Sequence, residues 1–289
     1  MSTREALTST AEQLVAPAPG PGRQALLIAQ RALAERSRSL VVWSVGVAAI
    51  TAVQLAVYPS IATTAAGWQQ MLDAWPEAFR AAFDLDAYTT GPGFLNAELF
   101  SMIVPLVLVA VALGSAAAAT AAEEERGTAD LLLALPVART TVLLAKALAM
   151  VVSVVAVAAV AAVTVAVGAP LVDLDVSTAG ILAGCAMVTL LALLVGAAGL
   201  VLGALTGHRA AVLGGGIGLA LTAFLVDALA PMADWLEPWQ DASPFAWALR
   251  SDPLTSGFAV LDALLLASVA LVLTGAAVAV YRRRDIDSR

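Results

Sequence analysis

Few residues in this chain have the types and spacing that chemistry needs. Its one cysteine, Cys185, lies inside an apolar run, and its one histidine, His208, sits in the polar turn TGHRA with no serine, cysteine or carboxylate close by in sequence. A lone thiol forms no internal disulfide or thiolate cluster and a lone imidazole no His-rich site, so neither a metal site nor a cofactor bound by this chain is expected. A solvated turn residue is the simpler reading of His208, a catalytic one its alternative. The run GGGIG from Gly214 to Gly218 has the glycines of a phosphate loop but lies in an apolar segment, and it lacks the following Lys and Ser/Thr that hold phosphate and Mg²⁺. Gly199, Gly203 and Gly207 recur every four residues, as do Gly214 and Gly218. Small residues at that interval let helix backbones approach closely in lipid, so all five are expected at helix crossings.

Glu98, Asp227 and Asp262 are the remaining candidates, and each maps within a turn or two of the end of an apolar run, leaving the middle of every run free of charge. An ion or proton relay places ionisable groups at depth, so an ion-coupled carrier is disfavoured. An intramembrane hydrolase is disfavoured too, for lack of any serine, carboxylate or metal constellation there. Any energy used must come from a partner, and the chain itself is expected to be no enzyme.

Those few residues must be positioned by elements that are overwhelmingly apolar. Apolar residues make up 61% of the chain and charged ones 13%, against about 45–50% and about 25% in a soluble domain, which marks a membrane protein. Arginine far outnumbers lysine and alanine is abundant, a bias that a GC-rich bacterial genome produces without functional demand. The net charge of −7 and pI near 4.7 exclude the basic footprint of a nucleic-acid binder.

Crossing about 30 Å of hydrocarbon takes about 20 apolar residues. Six runs qualify, at roughly 39 to 58, 99 to 121, 142 to 168, 178 to 205, 209 to 230 and 258 to 281. None alternates polar and apolar residues as barrel strands do, so the expected fold is an all-α membrane protein with six transmembrane helices.

Orientation follows from the basic residues. With a cytoplasmic N-terminus, only Arg80 and Arg250 among the Lys and Arg residues fall outside, and the proposed outer segments hold Trp68, Trp75, Trp235, Trp239 and Trp247, the place of an interfacial aromatic belt. Both termini are therefore expected in the cytoplasm. Residues 1–22 read as a disordered tail without the apolar core of a signal peptide, and 23–289 as one six-helix domain.

Within 23 to 38, Leu26, Leu27, Ile28 and Leu33 stand among Arg23, Arg31, Arg36 and Arg38. This is the pattern of an amphipathic helix lying on the inner leaflet, with a cytoplasmic extension of the first span as the alternative. Outside, Trp68, Met71, Leu72, Trp75, Phe79 and Phe83 recur at helical spacing before and after Pro76, and Trp235, Leu236, Trp239, Phe245 and Trp247 repeat the theme. Interfacial anchoring is the expected role of both stripes, and lining a substrate exit the alternative.

The stretch EEERGTADLLLALPVARTT, from Glu123 to Thr141, falls on the cytoplasmic side yet carries four leucines. Gly127 can end the second span, Thr128 can cap a new helix with Asp130 in its first turn, and Pro136 forbids continuation beyond Leu135. The resulting helix, about 129 to 135 and roughly 10 Å long, is too short to stand alone. Leu131, Leu132 and Leu135 share one face, and burial of each is worth about 1.5–3 kcal/mol. Glu123, Glu124 and Glu125 repel an anionic leaflet and favour a protein partner with basic residues beside an apolar groove, although packing against the chain's own helix ends also remains open.

EEERGTADLLLALPVARTTVLLAK resembles the E-x-x-x-G-T-x-[DE]-x-L-L-x-x-P-V-x-R segment of ABC-2-type ABC transporter permeases, the membrane subunits of ATP-driven exporters, including antibiotic and multidrug types. WPEAFRAAFDLDAYTTGPGFLNAELFSMIVPLVLVAVALGSAAAATAAEEERGT is similar to their outer loop and second span, and DASPFAWALRSDPLTSGF to the segment before their last span. The resemblance implies a permease in the cytoplasmic membrane that pairs with a second permease copy, identical or related, and with two ABC ATP-binding subunits that hold ATP and Mg. It assigns residues 23 to 38 to an N-terminal elbow helix. It also assigns a coupling helix that docks on the ATPase, with Glu124, Glu125, Gly127, Thr128, Asp130, Leu131, Leu132, Leu135, Pro136 and Arg139 as its contact residues. The spans, uncharged and rich in Ala, Val and Leu, suit a hydrophobic or amphiphilic substrate. A membrane sensor or immunity subunit that touches the same ATPase without moving substrate is the alternative.

Overall fold

The computed structural model describes residues 20–76, 80, 87–120 and 138–283. Among them every regular element is helical: α1 (Pro21–Thr63), α2 (Ala65–Asp73), α3 (Gly91–Thr120), α4 (Arg139–Gly168), α5 (Thr178–Thr206), α6 (Arg209–Leu229), α7 (Glu237–Gln240), α8 (Pro244–Leu249), α9 (Pro253–Ser256) and α10 (Val260–Arg283). Six of these, α1, α3, α4, α5, α6 and α10, are long and apolar enough to cross a membrane. They alternate in direction, so Pro21, Thr120, Arg139, the turn at Gly207 and Arg283 share one end of the bundle, here called proximal. Thr63, Gly91, Thr178, Leu229 and Val260 share the other, distal end.

The helix ends are set by local chemistry. Ser177 Oγ accepts the N–H of Gly180 at 3.0 Å to start α5, and Thr90 Oγ1 accepts that of Gly93 at 3.2 Å to start α3. Gly207 ends α5 with φ 68°, returning its N–H to the Gly203 carbonyl at 2.9 Å, a left-handed cap that glycine adopts without strain. Within α3, residues Asn96–Ile103 widen into a π-helix just before Pro105. Proline lacks the N–H that would bond back one turn, so the wide turn sits where the regular ladder is already interrupted.

The basic amphipathic stretch 23 to 38 is helical but is no separate elbow. It forms the first turns of α1, whose 43 residues run about 65 Å at 1.5 Å per residue. No Gly or Pro stands between Arg23 and Arg38 to break the helix. Its apolar residues also have a protein surface to cover: Ala25, Ile28, Ala29, Ala32 and Leu33 pack against Ala145 and Ala149 of α4, while Leu26 and Leu27 stay exposed. Of the two expectations, an extension of the first span describes the observed helix.

Packing centres on α5, which lies against α3, α4, α6 and α10, while α1 lies chiefly along α4. The main core gathers Phe94, Leu99, Phe100, Leu108, Leu113, Val157 and Val188, and a second cluster joins Met187, Leu191 and Leu266 to Phe245 and Ala248 from α8. The distal segment between α6 and α10 is therefore not purely an interfacial belt. Trp235 and Trp239 are exposed, but Phe245, Ala248 and Leu254 are buried in the bundle. The backbone of α9 reaches α5 because the Leu254 carbonyl oxygen occupies the place a side chain on Gly180 would take.

Candidate functional site

The proximal end holds the flanks of the expected coupling helix. Glu124, Glu125, Gly127, Thr128, Asp130, Leu131, Leu132, Leu135 and Pro136 lie outside the described residues; Arg139 is the first residue of α4. α3 is described as far as Thr120 and α4 from Arg139, and the two pack side by side. Two cations meet backbone carbonyls near there. Lys146, buried, points Nζ to the Ala119 carbonyl oxygen at 3.4 Å, and Arg36 donates from Nη1 to that of Gly114 at 2.6 Å.

The repeated glycines divide by environment. A Cβ at Gly199 would stand 2.9 Å from Leu113 Cδ2 and 3.2 Å from Ala116 Cβ, and one at Gly203 would overlap the Thr120 side chain. These two lie where α5 meets α3. Gly207 is the helix cap described above rather than a crossing residue. Gly214 and Gly218 sit on an open face of α6 with no atom of the described residues within 4 Å of a would-be Cβ. The close approach of α6 to α3 runs instead through Gly216, against Leu113. The period-four pattern misses it because it marks rows along one helix and carries no information on which row meets a neighbour.

Among the described residues, two open spaces at the surface of the bundle bear on a binding role. The first, of about 220 Å³, lies between α3 and α6: Met102, Leu106 and Val109 form one wall, Ile217, Leu221 and Phe224 the other, and Phe245 of α8 closes the distal end. Phe224 and Phe245 meet edge to face with centroids 5.5 Å apart. Met102, in the π turn, and Leu106, just after Pro105, are exposed rather than packed. The second space, of about 320 Å³, lies between α6 and the distal segment and is lined by Val226, Trp235 and Trp239 among others.

At the distal end Glu98 ties three parts of the chain together. Its Oε2 accepts from Gln54 Nε2 of α1 at 2.7 Å, and its Oε1 accepts from the Tyr88 hydroxyl at 2.7 Å. Tyr88 and Tyr58 each pack tilted against Phe94, with centroids 5.7 and 5.3 Å away. Burial of the Tyr88 phenol, its hydrogen bond to Glu98 and the carboxylate charge all hold its pKa well above the usual tyrosine value. On α6, Asp227 Oδ1 accepts from Gln240 Nε2 at 3.2 Å. Glu98 and Asp227 were legible in the sequence as charges near span ends. Gln54 and Tyr88 were not, since their partner is distant along the chain and nothing local marks the pairing.

His208 is exposed at the start of α6, Cys185 is buried in α5, and GGGIG lies within the continuous helix α6, so these residues do not converge on one site. What the arrangement can do is hold an apolar body against α3 and α6, with hydrogen-bonded carboxylates at the distal end. A search of curated proteins finds no match to the chain. The model of the ABC-2 family transporter proteins, in contrast, matches residues 26–286 and so takes in all six long helices almost entirely. The chain therefore belongs to the ABC-2 family of transporter proteins.

Proposed function

We propose that this chain is the permease subunit of an ABC exporter, moving a hydrophobic or amphiphilic substrate out of the cytoplasm or inner leaflet with ATP hydrolysed by a separate ATP-binding subunit. The family match over 26–286 carries the reading. The apolar groove between α3 and α6 supports the substrate class, since binding sites for small molecules are mostly apolar with a few placed polar groups. Among the described residues, Arg23, Arg31, Arg36, Arg38, Arg139, Lys146, Arg209, Arg282 and Arg283 lie toward the proximal end and only Arg80 and Arg250 toward the distal end. This asymmetry supports a cytoplasmic proximal end.

In this reading the segment from Glu124 to Arg139 docks in a groove of the ATPase, and closure of two ATPases moves the helices of two permease copies as rigid bodies. The complex works in the cytoplasmic membrane of a bacterium, with antibiotics or other drugs as its cargo. Inverted vesicles carrying the permease with an ATP-binding subunit encoded beside it provide the test. ATP-dependent accumulation of an antibiotic or lipophilic dye is expected, together with loss of ATPase co-purification in Leu132→Asp and Glu124→Arg. Assembly unchanged in both variants rules out the docking role. Assembly without accumulation of any compound favours a sensor or immunity subunit.

A further inference from the structure

One row of α1 is turned toward the bundle. Arg36, Leu40, Trp43 and Val47 recur at intervals of three and four, with Val47 buried and Leu40 and Trp43 packed against the main core. Arg36 stands at the proximal end of that row. Arg23, Arg31 and Arg38 of the same helix are exposed, whereas Arg36 is half-buried against α3. Its Nη1 donates to the Gly114 carbonyl oxygen at 2.6 Å, and its Nη2 lies 3.2 Å from where a Cβ on Gly114 would stand, so the glycine leaves the guanidinium room to lie on the helix. Nε is enclosed and makes no hydrogen bond. Among the described residues no carboxylate pairs with this arginine, and Glu35, its neighbour in sequence, is engaged by Arg31 at 3.2 Å. A carbonyl accepts a hydrogen bond but leaves the charge uncompensated.

A second cation stands nearby. On α6, Val212 packs against Gly199 and Gly203 of α5, at the level where those glycines meet Leu113, Ala116 and Thr120 of α3. Arg209 lies one turn proximal to Val212, exposed, and acts electrostatically on Arg36. Two such charges repel, and arginine does not lose its proton, so an anion is the complement that relieves them. The unused Nε/Nη2 edge of Arg36 matches the spacing of two phosphate oxygens. Turning it outward takes a rotation at the end of a flexible side chain and no movement of α1. At the end of a membrane-spanning bundle the abundant anion is the lipid phosphate, and basic pockets between spanning helices bind such headgroups.

We propose that the proximal cleft between α1, α3 and α6 binds the phosphate of an anionic phospholipid, held by Arg36 and Arg209. A net-negative head, as in phosphatidylglycerol, answers both arginines, whereas the ammonium of a zwitterionic head cancels that attraction. The lipid fastens α1 to α6, two helices with few contacts of their own. The inference needs only the membrane span, not transport of any substrate.

Native mass spectrometry of the full-length chain released from mild detergent tests this, by titration with phosphatidylglycerol or phosphatidylcholine of identical acyl chains. Phosphatidylglycerol is expected to bind about 25-fold more tightly, about fivefold from each arginine. Arg36→Met and Arg209→Met should each lower that preference about fivefold, while Arg38→Met, which removes an exposed charge from the same helix, leaves it unchanged. Arg209 is exposed, so its variant carries the test even where Arg36→Met fails to fold. Inorganic phosphate in excess should not displace the lipid. Equal binding of the two lipids, or a preference that Arg38→Met lowers as much as the other variants do, overturns the site and leaves only diffuse attraction to basic residues. Displacement by inorganic phosphate overturns the lipid assignment in favour of a free anion. A preference untouched by Arg36→Met and Arg209→Met, with both variants losing co-purification of an ATP-binding subunit, gives the two arginines to a protein partner and overturns it as well.

Discussion

α5 and α10 share a mean hydropathy of 2.5 over their most apolar windows, yet 61% of that window is buried in α5 and 17% in α10. Hydropathy therefore does not decide which helix is central. In water, an apolar face is driven inward because solvent rejects it; in lipid, acyl chains cover leucine as well as protein does, and packing depends on shape. α5 supplies that shape with Gly184, Gly196, Gly199 and Gly203, where a Cβ would press on Phe100, Met150, Leu113 and Thr120 respectively. α10 instead presents Leu261, Leu264, Leu271 and Val272 outward, and its Gly275 faces open space. α1, likewise only 17% buried over its window, is joined to the rest partly through polar contacts: Arg36 to Gly114 and Gln54 to Glu98.

The sharpest way to break this contrast is to place the same side chain on both helices. Gly203→Leu should destabilise the protein by about 3 kcal/mol, the upper end of the usual overpacking cost, because the added side chain meets Thr120 and Val212. Gly275→Leu should stay within about 0.5 kcal/mol, as open surface positions do. Thermal unfolding in mild detergent followed by size-exclusion chromatography compares the two, and equal losses refute packing shape as the difference between α5 and α10.

A smaller effect is expected at the attachment of α1. Arg36→Met keeps much of the side chain's bulk and removes the hydrogen bond to the Gly114 carbonyl, which should cost about 1.5 kcal/mol, the low end for a bond to a charged donor, since the arginine is only half-buried. An unchanged melting temperature in the same assay assigns the hold on α1 to the alanine contacts along α4 alone.

The smallest effect is confined to alkaline pH. The Tyr88 pKa in the folded protein is raised above its ordinary value of 10.0, so folding favours the protonated phenol. Its contribution is present below pH 10, where folded and unfolded chains are both protonated, and is lost as pH rises above 10, where the unfolded chain releases the proton first. Stability measured from pH 8 to pH 11 should fall more steeply in the native protein than in Tyr88→Phe. Parallel curves indicate that the phenol is not held against Glu98.

The spans were legible because membrane thickness converts directly into run length: the expected 178–205 and 209–230 became Thr178–Thr206 and Arg209–Leu229. The elbow was misread because Ile28 and Leu33 fit a leaflet as well as a helix surface, and the alanines of α4 they pack against are distant in sequence. Gly207 and Gly199 belong to one period-four row, yet one caps a helix and the other admits Leu113, a distinction made by the backbone and the neighbouring helix. Met102 and Leu108 are both apolar in the sequence, yet the first lines a groove and the second is fully buried, a distinction made by which neighbouring helix each meets.

By itself the sequence determined that this protein lives in a membrane, that six helices cross it and that the segment after the second carries the family's motif, because length, polarity and local spacing are properties of one stretch of chain. Which helix stands at the centre, which glycines are crossings and where α3 and α6 part to leave a groove were decided only by the tertiary structure. In lipid those outcomes depend on the fit between surfaces from different helices, and an apolar residue is at home on either side of that fit.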